Sequence, residues 1–547
     1  MGFPGVNHWA LVACLLMALS AYCFRPGQDE GLALGLGFML SGGIAFGFAL
    51  RKSNNLTLTP EPVTANSTRV SPMRLLAVAP GVICLVLLAL SSGGLLRLPV
   101  NLQFGLLVGG IALWLWAFGG IGFSRPDRWL ALITLAGLLA RVWALEDAVH
   151  FFVDETNFVD AVIHLKNDDQ TKLLTPFSTL TAFTWVYPYL QSLSTNVFGH
   201  SLTGMRVVSA VIGTLTIPAL YLLAKYLFDR KTALLAALFL ATFPPHVHLS
   251  RLGLNNIADP LFGTLALAFL ARGARTQRPA DYALSGAALG LTQYFYEGGR
   301  LLFPALVGLC LLGMAATRRA SWRGAALLLL SAVVTVAPLY YTYLAHRLPL
   351  VPRLNSNTSD NAFWTALMLA STDDPVLHLV NRPDGSGFYY GGGTPLILGY
   401  LVPVFLLGIF HVFWRRKGAS ALLFAWVLFT VRGNSFLKWN DWTPRFAVVF
   451  PALCLLMAAG LRCTLPLILP NRTQGFKPLV GSMGAVAVAL AIPQLAYYFG
   501  PHLALFNLQI REWRDHRMCC IAPPNSPPVH TCTSSLASWF SGRTLKR

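Results

Sequence analysis

Phe151-Phe152-Val153-Asp154-Glu155-Thr156-Asn157-Phe158 places two adjacent carboxylates in an apolar setting, in a chain where only 12% of residues are charged. Asp154 and Glu155 are candidate catalytic residues, because a carboxylate at a lipid–water boundary is suited to take a proton from a hydroxyl. Beyond them Phe158, Val159, Val162, Ile163 and Leu165 recur at helical spacing, with Asp160, His164 and Lys166 on the other face. That pattern predicts an amphipathic helix at the membrane interface, with Asp154 at its start. A second role for Asp154 follows from its place, as N-cap of that helix, and the two roles are compatible.

Three cations stand at the ends of apolar blocks: Arg206, Arg251 and Arg300. Arginine near hydrocarbon needs an anionic partner or a path to lipid head groups, and its planar fork matches a phosphate. They are candidate phosphate ligands. Asn255, Asn256, Asp259, Tyr296 and Glu297 lie beside them in sequence and are candidate pocket residues. Tyr390 joins them from Phe388-Tyr389-Tyr390-Gly391-Gly392-Gly393-Thr394, a glycine-rich loop end without a P-loop lysine, whose rings suit stacking on a sugar. His246 and His248 form an H-x-H that lacks a third metal ligand, so turn histidines are the reading. No metal or other cofactor is assigned, and a divalent ion stays open for want of a ligand set. The cysteines lie mostly in apolar blocks, as small apolar residues.

These residues need a scaffold, and composition says which. The chain has 547 residues, 55% hydrophobic, with a mean hydropathy of +0.57 and a net charge of +19. So basic a soluble chain would invite a nucleic-acid reading, yet a soluble domain carries about a quarter charged residues. Apolar blocks fall instead at 9–24, 31–50, 75–91, 102–123, 129–145, 203–227, 232–250, 256–271, 282–296, 301–316, 324–345, 395–413, 419–435, 444–461 and 478–499. The expected fold is an all-α polytopic membrane protein of about 13–15 transmembrane helices. With the N-terminus inside, the inner loops hold 21 Lys and Arg against four acids, an excess of 17. Nearly all of the +19 is thus an orientation signal, and nucleic acid is excluded as a partner.

The expected organisation is a four-span N-terminal extension, 1–124, with a flexible cytoplasmic linker at 51–74. A membrane domain at 125–499 carries two large outer loops, 146–200 and 346–394. A tail at 500–547 is rich in Pro, Ser and Thr and expected to be disordered in part. Three N-glycosylation sequons face inward on this topology, and one, at Asn357, faces outward.

From Arg141 onward the sequence resembles membrane glycosyltransferases of GT-C architecture, in particular the bacterial family 39 and RgtA/B/C/D-like proteins. These are kin of protein O-mannosyltransferases and of the aminoarabinose transferase of lipid A. The resemblance rests on Asp154-Glu155; on Phe198-Gly199-His200-Ser201 leading to Arg206 and Ile212-Gly213; and on Ser250-Arg251-Leu252-Gly253-Leu254-Asn255-Asn256. Arg445, Pro451 and Gly460 continue it over about 300 residues. Residues 1–124 and the tail have no counterpart in it. The resemblance implies a GT-C-like bundle and a polyprenyl-phosphate sugar donor. The sugar passes to a lipid, glycan or protein acceptor on the extracytoplasmic face of the plasma or inner membrane, with inversion. It implies Asp154 as general base, Glu155 orienting the acceptor or tuning Asp154, and Arg206, Arg251 and Arg300 on the leaving phosphate. A polymerase or ligase of lipid-linked glycans is a rival that does not predict Asp-Glu before a large loop. A transporter or flippase is another, and it predicts ionisable residues in mid-span.

Overall fold

Each of the fifteen apolar blocks is helical over most of its described residues. The computed structural model describes residues 7–51, 71–119, 127–150, 152, 154–178, 183–317, 321–352, 375–415, 418–438, 440–469 and 476–511. Most of the 51–74 linker, Phe151, Val153, residues 353–374 with Asn357, and the tail from 512 onward lie outside them.

The first helices are α1 (His8–Cys23), α2 (Leu32–Arg51), α3 (Val78–Ser92), α4 (Val100–Ala117) and α5 (Arg128–Val142). The first outer loop carries α6 (Glu155–Asn167) and α7 (Val186–Phe198). Then follow α8 (Leu202–Leu227), α9 (Arg230–Thr242), the short α10 (Pro244–Leu249), α11 (Ala258–Thr276), α12 (Pro279–Leu291), α13 (Glu297–Ala316) and α14 (Trp322–Ala345). The last are α15 (Val402–Arg415), α16 (Gly418–Ser435), α17 (Phe450–Ile468) and α18 (Phe476–Tyr497). Among the described residues nine helical segments are long and apolar enough to cross a membrane, the composition of a multi-pass membrane protein. An isolated bridge joins Pro176 with Thr184, and no strand is formed among the described residues.

The core is the packing of α8 on α9 and α11, and of α9 and α15 on α17. α17 is buried along nearly all its length. Gly408 and Gly460 set the α15–α17 crossing: a Cβ on either would run into a backbone carbonyl of the other helix. The first two hairpins dock in different places. α1–α2 lies on α15, where the Trp414 indole donates to Gly43 O at 3.1 Å. α3–α4 lies on α14, where Trp114 Nε1 donates to Ser331 Oγ at 2.9 Å. The start of α4 is also tied to the 146–200 loop, through Gln103 to Thr171 O (3.0 Å) and Tyr189 to Asn101 (2.7 Å).

The residues assigned to the inner loops gather at one end. Arg230 pairs with Asp127, Arg272 with Asp281 at 3.1 Å, and Arg462 with Asp229 at 3.3 Å. Glu155, Arg206 and Arg251 gather at the other. The 26-residue α8, about 39 Å long, joins the ends, with Arg206 near its start and Tyr221 reaching Asp127 near its finish.

Candidate active site

After α5 the chain runs irregularly from Trp143 to His150, and non-helical backbone beside apolar spans must find partners for its carbonyls. Buried arginines supply them. Arg251 Nη1 donates to Ala140, Arg141 and Trp143 carbonyls (3.1, 3.3 and 2.7 Å), and Nη2 to Ala144 (3.2 Å). Arg206 Nη1 donates to Leu145 and Val149 (both 2.9 Å), and Nη2 to His150 (3.2 Å). Its Nε and Nη2 grip Glu155 in a bidentate pair, both at 2.7 Å. Glu155 also accepts from Phe152 N (3.0 Å) and Gly253 N (2.7 Å). All three side chains are wholly buried.

This corrects two expectations. Every N–H of Arg206 is committed to Glu155 or to a carbonyl, and Arg251 is sealed behind the loop, so neither presents a fork to a phosphate. Glu155 is likewise turned away from any acceptor and anchors the start of α6. The structure gives these residues other partners than the sequence suggested.

Asp154, one residue earlier, faces the other way. It is half-buried, and its carboxylate does not cap α6, contrary to the N-cap expectation. Instead Oδ2 accepts from the Tyr389 hydroxyl at 2.9 Å. Around them lies a small cavity of about 80 Å³ with a mixed lining, Asn157, Asn255 and Asn256 on one hand and Phe158, Phe177 and Phe183 on the other. Asn255 donates to Phe295 O at 3.0 Å. Asn256 is 3% exposed and its Oδ1 has no hydrogen-bond partner, so a buried acceptor is presented at this cavity.

Tyr296, Tyr389 and Pro444 are also walls of a larger cavity of about 540 Å³. It lies between α13 and α16, with Leu301, Leu302, Ala305, Phe429 and Leu437 lining it. Leu301 and Phe429 are exposed on the flank of the bundle, so the groove opens sideways among the spans. Its polar end holds Glu297, Trp442 and Arg445, with the Arg445 guanidinium 5.4 Å from the Trp442 ring centre. Trp442 in turn packs on Tyr389, ring centres 5.3 Å apart.

The remaining candidates divide. Arg300 holds Gln293 O (2.7 Å) and Leu350 O (3.0 Å), and it lines neither cavity. Asp259 is buried and receives the Tyr296 and Gly299 N–H groups, closing the start of α13 rather than a pocket. Tyr390 is fully buried against His502, ring centres 4.3 Å apart, so its neighbour Tyr389 is the tyrosine at the cavity. His246 and His248 are buried on α10. His246 Nδ1 meets Arg141 Nη2 at 2.8 Å, and no group of three metal-ligating side chains exists among the described residues.

Sequence reasoning passed over Tyr389, Trp442 and a cavity role for Arg445. The available signal was Trp442-Thr443-Pro444-Arg445, an aromatic–cation pair just before an apolar block.

Residues 184–341 match the model of the dolichyl-phosphate-mannose-protein mannosyltransferase family. The match falls within the stretch on which the resemblance to GT-C enzymes rests. Among solved structures the chain is similar to ArnT from Cupriavidus metallidurans bound to undecaprenyl phosphate, at 16% identity and a TM-score of 0.45, over 74% of this chain and 82% of that one. It is also similar to the oligosaccharyltransferase AglB from Archaeoglobus fulgidus, in complex with an inhibitory peptide and a dolichol-phosphate. There the identity is 14% and the TM-score 0.43, over 75% of this chain and 59% of that one. Comparison with curated proteins returned no match.

Proposed function

We propose that the protein is an inverting membrane glycosyltransferase that moves a sugar from a polyprenyl-phosphate donor to a hydroxyl acceptor on the extracytoplasmic face. One observation carries the reading. A carboxylate, Asp154, lines a small cavity that shares Tyr296, Tyr389 and Pro444 with a sideways-opening apolar groove, whose polar end holds a cation, Arg445. The groove suits a polyprenyl chain arriving from the bilayer, and the family match of residues 184–341 supports a lipid-linked donor.

In the proposed step Asp154 takes the proton of the acceptor hydroxyl as its oxygen bonds to the sugar C1. The bond from C1 to the phosphate oxygen breaks, and polyprenyl phosphate leaves as an anion. A phosphate needs no protonation to leave, so one base and one cationic site suffice, whereas glycoside hydrolases use two carboxyl groups. Arg445 is the proposed phosphate ligand, in place of Arg206, Arg251 and Arg300. The donor hydroxyl of Tyr389 favours the charged, basic form of Asp154. Asn256 Oδ1 accepts a hydroxyl of the sugar or the acceptor.

Purified protein incubated with radiolabelled polyprenyl-phosphate sugars and membranes from its native host tests this. Label should pass to a lipid, glycan or protein product. Failure with every such donor would overturn the proposal and favour a transporter.

A further inference from the structure

The structure continues past α18 without a break, through one π-helical turn at Tyr498–His502, into a helical segment that runs to Arg511. Residues 500–511 are thus ordered, where composition suggested a loose tail. This segment crosses both outer loops. The Asn507 amide donates to Ala148 O and accepts from His150 N, each at 3.0 Å, so one side chain reads both polar groups of a backbone two residues apart. Gln509 Oε1 accepts from Gly392 N at 3.3 Å, and the Tyr497 hydroxyl bonds Thr394 Oγ1 at 2.7 Å.

The glycine run is shaped for that crossing. Gly391 and Gly392 have φ of +62° and +76°; a Cβ on the first would run into Gln509 Oε1 and on the second into His502 Nδ1. Apolar anchorage is separate from these polar contacts: Phe506 packs edge-on to His248 with ring centres 4.4 Å apart, and Leu503 and Ile510 are buried. The two clamped backbones are the ones that deliver Asp154 and Tyr389. Ala148 and His150 lie just before Asp154, and Gly392 lies just after Tyr389.

We infer that Asn507 and Gln509 are positioning residues for the reaction, bracing two loops 235 residues apart in sequence so that the Asp154 carboxylate meets the Tyr389 hydroxyl. Neither side chain lines the small cavity at Asp154 or the groove beside it, so they act through the loops and not on substrate. The inference rests on the proposed role of Asp154. It deepens that role, because the base is then assembled by three distant segments, all of them outside the residues 184–341 that match the family model.

The test uses full-length protein in lipid nanodiscs, comparing Asn507→Ala and Gln509→Ala with wild type. Hydrogen exchange should rise in residues 144–150 for the first and 387–394 for the second, with α8 unchanged. In Asn507→Ala, kcat for sugar transfer should fall about ten- to a hundredfold, with donor KM within about twofold. Adding Tyr389→Phe to Asn507→Ala should then cost less than it does in wild type, because both act through one contact. Unchanged exchange in both loops, or strictly additive losses, overturns the inference. If Asn507→Ala loosens the whole protein, Gln509→Ala, which touches only the glycine loop, decides by the same readouts. If wild type transfers no sugar at all, the proposed function falls, and exchange alone decides the brace.

Discussion

Asp154 and Glu155 are neighbours in the chain and belong to different machines. Glu155 joins a buried framework with Arg206 and Arg251, in which the Arg206 guanidinium has no donor to spare and seven carbonyls between Ala140 and His150 are pinned. Asp154 lines the small cavity with Tyr389, which also lines the larger groove beside Trp442 and Arg445, and these half-buried side chains border open space. The contrast teaches how to read charges near a membrane. A charge sealed with a full set of partners holds backbone, and one lining a cavity is the one to which the proposed function gives chemistry. Each class fails in its own way when altered.

The largest expected effect is on the framework. Removing the Arg206 head group leaves the Glu155 charge buried and unpaired and three carbonyls without donors, a cost of about 3–5 kcal/mol. Arg206→Met should therefore be recovered poorly or unfold at much lower temperature, as thermal unfolding in detergent would show. Normal stability with a raised donor KM would instead return Arg206 to the phosphate. On the cavity side, Arg445→Ala should leave stability unchanged and raise donor KM about ten- to a hundredfold, the worth of a lost charge-assisted hydrogen bond. An unchanged KM would remove Arg445 from the site.

Smaller effects sharpen the same division. Tyr389→Phe removes a donor to the Asp154 carboxylate, which raises the carboxyl pKa. The acid limb of the kcat/KM profile should move to higher pH, and an unmoved limb would mean the hydroxyl does not act on Asp154. The smallest concerns the loop that carries Tyr389. His378 is buried beneath it, close to Thr443 and the Arg382 and Pro383 carbonyls, and burial pushes its imidazole below the usual 6.5 despite the nearby Asp384 carboxylate. A depressed imidazole stabilises the fold above its unfolded value and loses that contribution as pH falls through the folded one. Acid should loosen residues 375–394 before the rest, and His378→Phe should flatten that dependence in hydrogen exchange.

Much of the scaffold was legible because lipid makes the rules strict: long apolar runs must be helices, and scarce charges must sit at their ends. The α6 amphipathic pattern gave its buried face directly, with Phe158, Val159, Val162 and Leu165 inside. Sequence also placed Asp154, Asn255 and Asn256 in one neighbourhood. It could not assign partners. Whether Arg206 meets a phosphate or Glu155 depends on how α8 stands against a loop fifty residues earlier, and nothing local encodes that. The choice between Tyr389 and Tyr390 turns on the twist of a glycine loop held by Asp384, which accepts the Tyr390 N–H at 2.7 Å. The α7 helix was missed inside the first outer loop, where Val186–Phe198 is too polar to stand out as an apolar block.

The central claim is that adjacent carboxylates have opposite roles, and one paired measurement addresses it. Asp154→Asn and Glu155→Gln are purified side by side, and thermal unfolding and sugar transfer from a lipid-phosphate donor are recorded for each. Asp154→Asn should unfold like wild type and lose about 10²–10⁴-fold in transfer rate, the worth of a general base. Glu155→Gln should unfold at clearly lower temperature, because its bidentate partner Arg206 is left uncompensated. An Asp154→Asn protein with full transfer, or a Glu155→Gln protein of wild-type stability that has lost transfer, would contradict the account.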